Sequence, residues 1–400
     1  MIVIDKKHIQ ETNIKNCIFQ IKENNSFEIS YDSDVIVTEF LYYVENQYEI
    51  KFSHDFFEIV NSIPKPTLNM DACNVYSHSG YTPYNFTIYN EIHKIPSVCN
   101  LNFIDDKLFL SLGLIKPKDK ISSKDLIYNS IRDSYCSRKK NAILFSGGYD
   151  SILTALILKK EFGKDNLKLI TIAYDNIDFM PVKLDLEYSK KIAKELDLEH
   201  EIVLYDPKKD NIQNRFNTIL LNNPLSVHFS FLFSYLSEFY SSSDYNFISG
   251  QNADSIINLG ATSQIRITKN LKLEGIGEAL RRFFYIVKPD YGRVLFGLLN
   301  FSNKADDSYT TTPISGFRKF PFPNKSILHQ SFKNLKVKFD SSFRNNKRVN
   351  QYILNHLLSF IQGGDNAVML TYFKNSNNQL LPFANLKLVT HYLFKQNVSF

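Results

Sequence analysis

Ala142-Ile143-Leu144-Phe145-Ser146-Gly147-Gly148-Tyr149-Asp150-Ser151 runs from four apolar residues through a Ser-Gly-Gly turn into a helical pattern that reaches Phe162. A continuous apolar run of that length, punctuated by glycine and followed by a long helix, predicts a strand buried on both faces and its crossover helix. Working outward, Leu167 to Ala173 reads as a second strand, Leu186 to Leu196 as a second helix and Ile202 to Leu204 as a third strand. Phe229 to Phe239 then reads as a helix, and Tyr245 to Ile248 as a strand ending in Ser249-Gly250. The alternation of strand and helix predicts the α/β class, a doubly wound parallel sheet covered by helices on both faces. Beyond about residue 260, Phe283 to Val287 and Tyr352 to Ile361 suggest a mainly helical C-terminal part.

The turn between the first strand and its helix has the makings of an anion site. A helix N-terminus presents unsatisfied N–H groups and about half a positive charge, and glycines let backbone approach a ligand closely. Ser146 and Ser151 add hydroxyl donors. Asp150 would repel a bare phosphate but suits a Mg²⁺ ion carried by one. The same string also fits a Gly-Gly turn with Ser or Asp as helix cap, and alone it leaves both readings open. No G-x-x-x-x-G-K-[ST] loop is present, and Gly275-Ile276-Gly277 lacks the third glycine of a dinucleotide fingerprint. A second loop, Ser249-Gly250-Gln251-Asn252-Ala253-Asp254, follows the fourth strand, at the carboxyl end of the sheet where doubly wound folds bind ligands. Asp254 would bring a second carboxylate to the same magnesium.

Ser146 to Ser151 match in full the SGGxDS signature of the PP-loop ATP pyrophosphatases, which this chain resembles. Asp185-Leu186, Ile192-Ala193, Leu196 and His200 fall on the offsets of the D-L-x-A-A-x-x-V-A-x-x-L segment of asparagine synthetases, with its following His. Those positions also make an amphipathic helix, and they carry register rather than chemistry. His200, just ahead of a buried strand, is read as structural. Ser249, Gly250, Ala253 and Asp254 match that family's S-G-E-G-A-D motif. Leu381-Pro382-Phe383-Ala384-Asn385 and Gly364 to Met369 are similar to its P-F-L-D and R-D-x-x-x-M stretches.

The resemblance implies a PP-loop, adenine nucleotide α-hydrolase type of fold and an AMP-forming ligase that adenylates a carboxylate and forms an amide. It implies ATP held by Leu144, Phe145, Ser146, Gly147, Gly148, Asp150, Ser151, Ile172, Ser249 and Gly250, and Mg²⁺ held by Asp150 and Asp254. Gln251 stands where asparagine synthetases have a glutamate, and a neutral amide cannot act as a base. β-Lactam synthetases and lasso-peptide cyclases are the nearer types, in which the amine belongs to the substrate. The family's lysine that balances charge as pyrophosphate leaves would lie beyond Phe400, so Lys347, Arg348, Arg344 or Lys374 are the candidates to replace it.

Residues 1 to 116 read as short alternating segments, such as Val35 to Thr38 and Leu101 to Ile104, which predicts a smaller β-rich domain ahead of a synthetase domain over 117–400. Tyr81 to Pro96 resembles the stretch that links glutaminase and synthetase halves. Ile2 replaces the nucleophilic cysteine, which implies a degenerate glutaminase-like scaffold with no hydrolysis of its own.

The whole chain has 400 residues, 44% hydrophobic and 22% charged, enough for two domains. Its net charge of +6 is scattered, which suits a polyphosphate substrate and gives no reason to expect a nucleic-acid partner. Cys17, Cys73, Cys99 and Cys136 form no C-x-x-C pair and are expected to be reduced, mostly buried thiols. No signal peptide or apolar run of roughly 20 residues appears, so a cytoplasmic location without membrane contact is expected. The partners in this reading are a small-molecule, peptide or sugar-acid carboxylate and ammonia or an amine donor; a homodimer or a pathway partner is compatible with it. Two other readings stay open: a non-catalytic nucleotide-binding scaffold or sensor, and a PP-loop enzyme that modifies a nucleobase or tRNA.

Overall fold

The structure, a computed structural model, describes residues 1–32, 40–79, 81–82, 84–113, 121–175, 180–222, 230–253, 335, 369, 372–373 and 380–395. The first part contains β1 (Ile2–Asp5), β2 (Cys17–Lys22), β3 (Ser26–Tyr31), β4 (Tyr42–Glu45), β5 (Glu49–Ser53), α1 (Phe56–Asn61), α2 (Met70–Ser79), β6 (Ile92–Lys94), β7 (Cys99–Ile104) and β8 (Lys107–Leu112). They make two four-stranded antiparallel sheets, β1-β5-β4-β6 and β2-β3-β7-β8. Period-two alternation puts Phe27, Ile29, Leu101 and Phe103 of one sheet against Ile4, Tyr43, Ile50 and Phe52 of the other, all buried. The Phe27 and Phe52 rings meet edge-on at 6.5 Å across the gap. Asp105 and Asp106, both at positive φ, supply the two-residue turn between β7 and β8. On the outer face of the first sheet, α1 packs Phe56 and Ile59 over Phe40, Tyr42 and Ile92. Leu101 to Ile104 thus lies in β7 as expected, whereas Val35 to Thr38 lies outside the described residues.

The second part begins at α3 (Ser123–Arg132), whose N-cap Ser122 accepts from the Asp125 N–H. It continues through β9 (Lys140–Leu144), α4 (Tyr149–Phe162), β10 (Leu167–Tyr174), α5 (Met180–Glu195), β11 (Glu199–Tyr205), α6 (Ile212–Asn222), α7 (Ser230–Leu236) and β12 (Tyr245–Ser249). The four strands are parallel, in the order β11-β10-β9-β12. Ala142, Ile143, Leu169, Ile170, Phe247 and Ile248 are all essentially fully buried, as strands covered on both faces must be. The chain steps from β9 to β10 to β11 and then returns to lay β12 on the far side of β9. With right-handed crossovers, α4 and α5 lie on one face and α6 and α7 on the other. The doubly wound α/β class is therefore what the chain adopts.

The C-terminal residues close the structure. Met369, Phe373 and the segment Leu380 to Ala384 are buried, with Phe373 4.5 Å from Phe247, and α8 (Leu386–Lys395) packs its first turns against α3. The expected helices at 283–287 and 352–361 lie outside the described residues. The cysteines are free, but the expectation that most are buried is corrected: Cys99 alone is buried, while Cys17, Cys73 and Cys136 are half-buried at an edge strand, a surface helix and a turn. Among the described residues no helix is long and apolar enough to cross a membrane.

Candidate active site

The order reversal at β9 places the carboxyl ends of β9 and β12 side by side. That topological switch point opens a crevice above the strand ends. Leu144, the last residue of β9, pairs in register with Ser249, the last of β12, so the loops 146–151 and 249–252 rise from adjacent points.

The first loop is shaped by close backbone contacts. Gly147 has φ +77, and a Cβ there would stand 3.0 Å from both the Cα and N of Ser189 on α5. Only glycine adopts that conformation at so little cost and fits that gap. Gly148 is the N-cap of α4 and makes no side-chain cap bond, so the first turn keeps N–H groups directed out of the helix end, as an anion site requires. Ser146 Oγ accepts from the Gly148 N–H at 3.2 Å, and Ser151 Oγ donates to the Gly148 carbonyl at 3.0 Å. Tyr149, the variable residue of the loop, is 93% exposed. Asp150 follows it, partly exposed at the mouth.

The second loop rests on the first. A Cβ on Gly250 would lie 2.8 Å from the Ser151 nitrogen and 2.9 Å from the Asp150 carbonyl carbon, so this glycine lets two backbones touch. Ser249 is buried, donates its N–H to the Leu380 carbonyl at 2.8 Å, and accepts from the Gln251 N–H through Oγ at 3.2 Å. Asn252 takes the left-handed region, φ 73, and is buried with Ala253. Ser146, Gly147, Gly148, Asp150, Ser151, Ser249, Gly250 and Gln251 therefore belong to one crevice. Phe145 is buried and can offer only its backbone, and Ile172 sits one strand over, half-buried and paired with Val203. Asp254 and Lys347, with Arg344, Arg348 and Lys374, lie outside the described residues.

Three features escaped the sequence reading. Thr171 on β10 donates its hydroxyl to the Phe145 carbonyl at 2.6 Å, at the root of the loop, and lies 2.8 Å from His200 Nε2. Burial first, then the Lys190 charge, holds the pKa of His200 below the usual imidazole value. Ser189 is wholly buried under Gly147, which gives the small residue at that point of the helical register a reason.

The third feature is a network at the end of β11. Arg215 on α6 binds both oxygens of Asp210, Nη2 at 2.9 Å, as well as Ser234 Oγ and Glu238, and lies 5.3 Å over the Tyr235 ring. The Tyr205 hydroxyl donates to Asp210, and burial with that carboxylate pushes its pKa up to about 12. Arg215 in turn holds the Asp210 carboxyl low. Tyr174, at the end of β10, packs its ring 5.6 Å from that of Tyr205. The Asn211 cap and the spacing of Phe216 and Ile219 carry the signal for α6.

The crevice can bind an extended anion along two backbones, with one described carboxylate at its edge. Among the described residues no group of three or more His, Cys, Asp or Glu side chains gathers to hold a metal. Mg²⁺ does not need one, since it takes few protein oxygens and leaves the rest to water and phosphate.

No protein-family model matches the sequence, and no curated protein matches it. Solved structures to which the chain shows similarity include an NH3-dependent NAD synthetase from Campylobacter jejuni, 16% identical, covering 54% of this chain and 93% of that one, with a TM-score of 0.24. An NMN synthetase from Francisella tularensis is 17% identical over 59% of this chain and 95% of its own, at 0.27. A U34-tRNA thiolase from Methanococcus maripaludis is 13% identical over 56% and 84%, at 0.24. At that level of similarity the three bear on neither the activity nor the substrate of this chain.

Proposed function

We propose that the protein is an ATP-dependent ligase that adenylates a carboxylate, releasing pyrophosphate, and passes the acyl group to an amine with release of AMP. The observation that carries this reading is the contact of Gly250 with the first turn of α4. It sets a helix-end anion cradle directly against a strand-end Ser-Gly, so that both loops border one site.

In this reading the loop from Ser146 to Ser151 holds the terminal phosphates, while Ser249 and Gly250 lie along the ribose and α-phosphate. Leu144, Phe145 and Ile172 bound the side on which the base rests. Asp150, with Asp254, would hold Mg²⁺, whose charge when bound offsets that of the departing pyrophosphate. The donor set suits that group: the carboxylate of Asp150 lies in the first turn of a helix whose N-cap, Gly148, makes no side-chain bond. Gln251 can hydrogen-bond the acceptor but cannot take its proton, so the amine arrives uncharged, as ammonia or as part of the substrate. Lys347 is our choice for the balancing cation. Residues 117–400 form the synthetase, and residues 1–116 a β-rich scaffold without its own glutaminase activity. The main work of such a site is orientation, which brings carboxylate and α-phosphate into line.

The test is pyrophosphate and AMP release from Mg-ATP across a panel of amino acids, peptides and sugar acids. Asp150→Ala should lower turnover by two or more orders of magnitude, because the charge it helps to place acts at the transition state. ATP binding without turnover of any carboxylate would sink the ligase and leave a nucleotide-binding scaffold.

A further inference from the structure

We propose that Thr171 is a positioning residue for the anion loop, held in place by His200; this deepens the reading above and rests on it. Thr171 has a single hydroxyl proton, and at 2.6 Å it goes to the Phe145 carbonyl. The 2.8 Å contact with His200 must then run the other way, with Nε2–H donating to Thr171 Oγ1. The result is a directed chain from imidazole to hydroxyl to carbonyl. Chains of this kind polarise along their length.

The carbonyl at the end of that chain belongs to the peptide between Phe145 and Ser146. That peptide is planar and trans, so turning the carbonyl toward Thr171 turns the Ser146 N–H the opposite way. The Phe145 N–H is already tied to the Ile170 carbonyl at 2.8 Å, so both polar groups of Phe145 are anchored to β10 immediately before the loop begins. The His200 ring stands edge-on to the Phe145 ring at 5.9 Å, which sets the imidazole as well as the strand end. The charged group that faces His200 is Lys190 on α5; its strand neighbours Glu199 and Glu201 are both paired with Lys168. Thr171 links the residue that follows β9 to His200 on β11, at the point where β9 gives way to the anion loop.

The experiment uses the full chain, with Thr171→Val, Thr171→Ser and wild type, and Mg-pyrophosphate and Mg-ATP as probes in calorimetry. Valine keeps the volume and loses the hydroxyl, and should weaken both ligands about fivefold to tenfold, the effect of one hydrogen bond. Serine should restore affinity to within about twofold. A second readout needs no ligand: with carbonyl-labelled phenylalanine, the Phe145 carbon signal should shift with pH as His200 titrates, and should stop doing so in Thr171→Val. Wild-type affinity in Thr171→Val, or serine no better than valine, overturns the inference alone. If wild type binds neither ligand while the Phe145 signal still follows His200, the ATP reading falls and the positioning role falls with it.

Discussion

Lys94 is the most deeply buried cation among the described residues, at 2% exposure. Its Nζ donates to the Thr82 carbonyl at 2.9 Å and to Thr82 Oγ1 at 3.0 Å, and stands 4.7 Å over the Phe40 ring. Among the described residues no carboxylate pairs with it, and burial pulls its pKa down to about 7. The unfolded chain keeps that proton up to about pH 10.4, so between the two values the unfolded state binds more protons than the folded one. Stability should therefore rise with pH above 7, by up to about 1.4 kcal/mol per pH unit. Cys99, Tyr31 and Tyr43 oppose this higher up, since burial raises their pKa values and the unfolded chain ionises first. The clean window is thus about pH 7 to 8.5. Urea unfolding across that window should give a positive slope that Lys94→Met removes, and an unchanged slope in the variant would refute a buried, neutral-poised lysine. The sequence held a hint of this burial: Lys94 is two residues from Ile92, hence on the same face of β6. Nothing in it indicated that helix α1 and Phe40 would close over that face.

At the scale of elements, the strand, turn and helix around the loop were legible to within a few residues, because buried parallel strands leave unbroken apolar runs. Helix α6 was not read, since Asn211, Asn214, Asn217 and Asn222 dilute its pattern and its Arg215 looks like any surface cation until the fold buries it against Asp210. The pairing of the two loops was legible only as a shared motif; that they touch through one hydrogen atom of Gly250 needed the fold. Gly250→Ala puts a methyl 2.8 Å from the Ser151 nitrogen and 2.9 Å from the Asp150 carbonyl carbon, both backbone atoms of α4, which cannot readily give way. The expected result is a loss of about 1–3 kcal/mol in unfolding free energy, together with Mg-ATP affinity reduced at least tenfold. Gly147→Ala meets Ser189 and also the cost of positive φ, about 1–2 kcal/mol. If either variant binds Mg-ATP as wild type does, the two loops do not form one site.

For the molecule as a whole, the informative contacts are those between residues far apart in the chain. Ser249 N–H is satisfied by Leu380, Ser130 Oγ donates to the Pro382 carbonyl, and Phe373 packs against Phe247 and, at 5.9 Å, Phe233. Local periodicity cannot reveal partners separated by more than a hundred residues, so the sequence placed the C-terminal part only by its likeness at Gly364 to Met369 and at Leu381 to Asn385. The structure makes that part the neighbour of β12, and so a support for the second loop of the crevice. Phe373 is fully buried between two other phenylalanines. Removing its ring should leave a cavity and destabilise the protein by about 3–5 kcal/mol. It should also loosen Leu380, which would leave the Ser249 N–H without its partner and lower Mg-ATP affinity, although Phe373 itself is outside the crevice. Urea unfolding and calorimetry on Phe373→Ala test both consequences. A stability change under about 1 kcal/mol would mean that the C-terminal segment does not belong to the core, and a large loss of stability with unchanged affinity would mean that β12 positions Gly250 without it.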